Sequence, residues 1–283
     1  MAEAASSAPR RNKRVLFGAA VVLLLAAAAA AAPLIAPHDP LEQDLLLSFL
    51  PPFWRDGADP GFLLGTDSLG RDILSRLIYG ARIALTVALV AATLAALLGT
   101  VLGLLAGYYG GAIDAVVSRL VDVWMSFPPV LLSVVLAAVV GAGLKAVILA
   151  IIVVDWTRFC RIVRAEVMVQ REQDYVAAAV TIGLGRWRVL HQEILPNLVP
   201  TLLVLLTLEM GVAVIVEAIL SFVGLSVASD APTWGGLIQE GRLYINQAWW
   251  MMALPMLCII VTVLGFNALG DGLRESLDPV LRR

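Results

Sequence analysis

Three carboxylates stand inside long apolar stretches: Asp155, Glu209 and Glu217. An ionised side chain is costly in hydrocarbon, so each must face protein or water. Carboxylates placed in this way can hold a cation in transit or close an ion pair. Asp155 has Arg158 at i+3, while Glu209 and Glu217 lie two turns apart near one helical face. Two roles fit: lining a pathway that favours cationic groups such as peptide amines or metal ions, and structural pairing. Catalysis has no comparable support. His38 and His191 fall in different segments, no Ser-His or Cys-His pairing is visible, and there is no H-E-x-x-H motif. Nor is there a G-x-x-x-x-G-K-[ST] loop to cradle ATP phosphates. Cys160 and Cys258 sit among apolar neighbours and read as core residues.

The elements that position these carboxylates belong to a membrane. Of 283 residues, 60% are hydrophobic and 15% charged, with a mean hydropathy of +0.89. Soluble domains run nearer a quarter charged, so too few polar residues remain to coat a core of this size. That excludes a soluble enzyme, a disordered chain and a nucleic-acid binder; the net charge of −2 gives no basic field for polyanions.

A spanning helix needs about 20 apolar residues. Residues 15–38, 83–113, 123–144 and 243–270 carry no formal charge and read as spans. Residues 146–157, which contain Asp155, and 194–227, which contain Glu209 and Glu217, complete an expected six. The first follows Arg10, Arg11, Lys13 and Arg14 and resembles a signal peptide, but its length favours a retained anchor.

Flanking charge sets the orientation, because cytoplasmic loops accumulate Lys and Arg. With the N-terminus inside, the inner side holds Arg10, Arg11, Lys13, Arg14, Arg119, Arg158, Arg161, Arg164, Arg171, Arg186, Arg188, Arg274, Arg282 and Arg283. The outer side holds only Arg55, Arg71, Arg76, Arg82, Lys145 and Arg242. Both termini are therefore expected in the cytoplasm. The expected layout is a cytoplasmic tail (1–14), a first anchor (15–38), an external loop with an interfacial helix (39–82), and a core (83–283).

Three segments between spans are long enough to act. The first external one opens acidic and then reads Gly65-Thr66-Asp67-Ser68-Leu69-Gly70-Arg71-Asp72, where Asp67 or Ser68 could cap a surface helix running through Arg82. In the second, residues 228–248, Trp234 and Gly235 could contact an external protein or simply fold the loop. The third, residues 158–196, carries six arginines and cannot lie in lipid. Trp187, Leu190 and Ile194 nevertheless repeat at helical spacing. Asp174, Ala177, Ala178 and Ala179 precede Gly183 and Gly185, and Leu195-Pro196 opens the next span. This spells a short helix, a glycine turn and an amphipathic helix. It either docks a partner or rests on the inner leaflet.

This segment resembles the cytoplasmic coupling loop of ABC-importer permeases. The loop's signature is Glu-Ala-Ala, a glycine four residues later and a Leu-Pro whose proline lies thirteen beyond. Ala178, Ala179, Gly183 and Leu195-Pro196 match, whereas Ala177 replaces the glutamate. Asp174 and Glu172 lie close enough to substitute in part. Further stretches are similar to the second, C-type permease of the dipeptide, oligopeptide and nickel group. They are Gly65-Thr66-Asp67 with Gly70-Arg71-Asp72, Phe127-Pro128-Pro129, Leu220-Ser221-Phe222, Pro232-Thr233-Trp234-Gly235, Leu269-Gly270-Asp271-Gly272 and Asp278-Pro279.

The resemblance implies an all-α polytopic membrane protein with the six-helix type I importer permease fold and a cytoplasmic coupling-helix loop. It also implies a non-catalytic subunit of an ATP-driven importer, for di- or oligopeptides, with nickel or another small solute as the alternative. An ion-driven secondary transporter is the rival class, but no internal repeat is visible to support it. The implied partners are a sister permease, two ATPase subunits or domains that bind ATP and Mg, an extracytoplasmic binding protein, and the bilayer of a bacterial cytoplasmic membrane. No cofactor is expected in this chain.

Overall fold

The computed structural model describes residues 13–226 and 231–277, and within them the chain is helical with one isolated bridge, Thr66 to Asp72. The tail before residue 13, residues 227–230, Asp278-Pro279, Arg282 and Arg283 lie outside the described residues. In chain order the helices are α1 (Lys13–Ala30), α2 (Ala32–Ile35), α3 (Ile73–Tyr109), α4 (Gly111–Met125), α5 (Pro129–Val140), α6 (Leu144–Arg171), α7 (Asp174–Thr181), α8 (Arg186–Arg188), α9 (Leu195–Phe222), α10 (Trp234–Leu243) and α11 (Trp250–Leu277). A π-helical turn, Val189–Ile194, joins α8 to α9 without a break.

By length and composition four helices can cross a membrane: α1, α3, the continuous Arg186–Phe222 stretch and α11. A fifth is the pair α4 and α5, bent by 89°. The expected count of six is therefore met in part. Residues 123–144 read as one straight span, but Pro128 and Pro129 cannot continue α4, and the chain turns there. The span expected at 146–157 lies inside α6, a helix of 28 residues whose apolar run is broken by Asp155, Arg158, Arg161 and Arg164. These arginines are helical. The segment expected from residue 158 therefore begins as the second half of α6, and the hairpin proper follows Arg171.

The surface helix expected up to Arg82 is likewise not separate. One helix of 37 residues runs from Ile73 to Tyr109, with Asp72 as its cap: the Asp72 carboxylate accepts from the Ser75 backbone N–H. At 1.5 Å per residue α3 is about 55 Å long, well beyond a hydrocarbon core of about 30 Å. Asp67, expected as a cap, instead accepts from Arg71 Nε at 2.7 Å and from Arg76, and both arginines also reach Glu240 on α10. Asp67, Arg71 and Arg76 are buried. This ionic knot fastens the loop before α3 to α10.

Helices α3 and α6 form the central pair. Gly99, Gly103 and Gly107 recur every fourth residue, so they form one stripe along α3. A Cβ at Gly99 would meet Trp156 O at 2.3 Å, and one at Gly107 would meet Arg164 O at 2.8 Å. Small residues at this spacing let two backbones approach where no hydrophobic drive separates helix from lipid. On the far side, α1 packs on α11, where Gly18 faces the backbone of Leu269 and Gly265 faces Val21.

Candidate functional site

The hairpin between α6 and α9 is built by local sequence signals. Helix α7 has Asp174 in its first turn, where a negative charge complements the helix dipole. It ends at Gly183, whose φ of +88° suits glycine. Gly183 N–H donates to Val180 O and Leu184 N–H to Ala179 O, the paired bonds of a Schellman turn. The chain then re-enters a helix at Arg186. Sequence spacing puts Trp187, Leu190 and Ile194 on one face. The structure buries Leu190 and Ile194 but leaves Trp187 65% exposed. The cause is the π-helical turn, whose i→i+5 bonds shift the register after α8. The expected separate amphipathic helix is instead the first part of a continuous rod into α9.

Val176, Ala179, Leu190 and Ile194 pack with Val163, Val167 and Leu198, so the hairpin has its own small core. Ala177 and Ala178 face out, whereas Ala179 is buried, so the three alanines do not share one surface. Val180 and Ile182 are exposed beside them. An open cavity of about 450 Å³ adjoins this patch, lined by Tyr108, Tyr109, Arg171, Val176, Ala177, Val180 and Arg186. Leu195 is half-buried, and Pro196 is exposed in the first turn of α9.

Side chains that the sequence did not single out hold the hairpin in place. Tyr175 OH donates to Gln170 Oε1 at 2.6 Å, and Asn197 Nδ2 lies 3.4 Å from the same phenol oxygen, so one phenol joins α6, α7 and α9. Burial pushes the Tyr175 phenol above its ordinary value. Arg171 donates to Tyr108 O at the end of α3. Arg164 grips both oxygens of Asp114 on α4. Oppositely charged residues in neighbouring helices were the available signal, but their pairing required the α4–α6 contact, which sequence does not reveal.

The three carboxylates within the helices have different surroundings. Glu209 accepts from Arg158 Nη1 at 3.1 and 3.2 Å. Arg158 therefore pairs across helices rather than with Asp155 at i+3. Glu217 is buried and accepts from Ser221 Oγ at 2.5 Å and Ser226 Oγ at 3.2 Å. Asp155 is 4% exposed and, among the described residues, makes no hydrogen bond, although the charges of Glu209 and Arg158 reach it. The structure thus separates Glu217 from the Asp155–Arg158–Glu209 group.

Trp234 and Gly235 do not form an exposed contact surface in this structure. Trp234 is 1% exposed and donates from Nε1 to Leu77 O at 3.0 Å. A Cβ on Gly235 would meet Ala218 O at 2.1 Å. Both residues seat α10 against α3 and α9.

Residues 99–283 match the family described as the inner membrane component of binding-protein-dependent transport systems. The chain belongs to this family. Residues 10–52 match the N-terminal membrane domain of oligopeptide transport permease C. The permease is 42% identical to the di/tripeptide transport system permease protein DppC of Pseudomonas aeruginosa, covering 89% of this chain and 83% of that one. It is 44% identical to the dipeptide transport system permease protein DppC of Escherichia coli K12, over 88% of this chain and 83% of that one. Its fold is that of type I importer permeases. The inward-facing MetNI methionine ABC transporter aligns with a TM-score of 0.61 at 20% identity, covering 73% of this chain and 98% of that one. An amino acid ABC transporter aligns at 0.56 and 17%, covering 72% of this chain and 94% of that one. The chain is accordingly an integral inner-membrane permease subunit, the non-catalytic membrane component of an ABC importer that works with ATPase and substrate-binding partners.

Proposed function

We propose that this permease imports di- and oligopeptides across a bacterial cytoplasmic membrane. It does so beside a sister permease, with two ATPase subunits or domains that bind ATP and Mg and an extracytoplasmic binding protein that delivers substrate. The observation that carries the peptide reading is identity of 36–44% with relatives named as dipeptide permeases. In this reading both termini and the hairpin face the cytoplasm, as the arginine distribution supports.

The hairpin seats on an ATPase through Ala177, Ala178, Val180 and Ile182, with Asp174, Gly183, Leu195 and Pro196 fixing its shape. Its own apolar core and the Tyr175 link support movement as one body. ATP binding draws the two ATPases together, and the hairpins transmit that movement to α6 and α9. The spans change between two packings, so a ligand bound outside the membrane domain biases which way the pathway opens. The Asp155–Arg158–Glu209 group is assigned to that pathway, and Glu217 to packing.

The test is reconstitution of the full complex in liposomes. ATP-dependent uptake of a labelled dipeptide, requiring the binding protein, is the expected result. No uptake with all partners present would sink the peptide reading. A cysteine placed at Ile182 should react with impermeant thiol reagents from the ATPase side only; reaction from the other side would reverse the orientation.

A further inference from the structure

Near the middle of α6 and α9 two carboxylates, Asp155 and Glu209, stand near one guanidinium, that of Arg158. Arg158 is committed to Glu209, touching both of its oxygens. With both carboxylates ionised, the group would carry one negative charge more than Arg158 balances. The unbalanced carboxylate belongs to Asp155, which is buried and has no hydrogen-bond partner among the described residues. A buried carboxylate without donors is costly unless a proton or another cation completes it.

The side chain of Arg158 is 36% exposed, and Arg161 and Asp122 are exposed on α6 and α4. Arg161 Nη1 lies 3.8 Å from Met125 Sδ. Exposed charges of this kind face water or a partner protein rather than lipid. By contrast, the open side of α11 shows Met256, Leu257, Ile260, Val261 and Leu264.

We infer that Asp155 is an ammonium-binding subsite on the translocation pathway, taking the protonated amino terminus of a peptide while Arg158 keeps Glu209 neutralised beside it. This deepens the peptide reading above and rests on it. An ammonium supplies both the missing charge and up to three donors, which matches a carboxylate that has neither. Glu217, already served by two hydroxyls, takes no part.

The experiment uses the reconstituted complex with two probes, dialanine and N-acetyl-dialanine, each supplied at a concentration that saturates the binding protein as measured separately by calorimetry. The wild type should take up dialanine about tenfold faster, the weight of one charged hydrogen bond. Asp155→Asn should bring that ratio close to one, and so should Asp155→Ser, so the outcome does not depend on one variant folding. A wild-type ratio near one overturns the subsite. So does an Asp155→Asn complex that keeps the wild-type ratio, since asparagine mimics a carboxyl neutralised by a proton alone. ATP-dependent uptake of neither probe overturns the peptide reading together with the subsite.

Discussion

Arg158 Nη1 lies 3.1 and 3.2 Å from the two carboxylate oxygens of Glu209, which ties α6 to α9 inside the bundle. Glu209 is buried and Arg158 is part-exposed, so the pair is asymmetric. Arg158→Gln strands a buried anion, while Glu209→Gln releases a cation that can turn toward solvent. Arg158→Gln should therefore lower stability by about 2 kcal/mol, below the range for fully buried pairs because Arg158 is partly hydrated. Glu209→Gln should cost less. Thermal unfolding of the purified complex reads both, and a larger loss for Glu209→Gln would contradict the asymmetry.

Gly183→Pro should uncouple the complex. Proline fixes φ near −65° and lacks the N–H that donates to Val180 O, whereas the native φ is +88°. Uptake should fall more than tenfold, and ATPase activity should lose its response to loaded binding protein. Retained uptake would remove the hairpin from the transmission path.

Tyr175→Phe keeps the ring packing but deletes the bonds to Gln170 and Asn197. It should cost about 1 kcal/mol of stability and lower the amount of peptide moved per ATP. Gln170→Leu should do the same, and the double variant should add little, because both remove one shared bond. Additive losses would show that the two side chains act separately.

Gly103→Leu should abolish accumulation of the protein. A Cβ there would already meet Cys160 O at 2.7 Å, and leucine adds three more carbons to that gap. Immunoblotting of membranes reads the result; normal abundance would mean that α3 and α6 can separate at no cost.

Asp67→Ala should be as damaging as loss of a core residue. It leaves Arg71 and Arg76 buried with only Glu240 to share between them. The expected cost is about 3 kcal/mol, measured by thermal unfolding, and simultaneous Arg71→Met should return part of it.

Much of this was legible in the residues. The hairpin could be read because its glycine and proline positions are fixed by backbone geometry, which obeys short-range rules. The carboxylates in the spans could be read because charge is rare there. Their partners could not. Arg158 has Asp155 one turn away in sequence, yet it reaches Glu209 because the α6–α9 contact brings an anion closer in space. For Trp234 and Gly235 the sequence left external contact and loop folding open, because it does not reveal that Gly235 lets α10 sink against α9. Residues 123–144 looked like one span because apolarity does not report direction, and only the two prolines marked the corner.

Helix α3 connects more than its neighbours. Its first turn stands beside the Asp67–Arg71–Arg76–Glu240 knot, and the Tyr108 carbonyl near its other end accepts from Arg171 beside the hairpin. It thus works as a tie rod about 55 Å long, for which a tilt of about 5° moves the far end by about 5 Å. One continuous helix thus joins the ionic knot to the hairpin, so a displacement at either end is carried to the other.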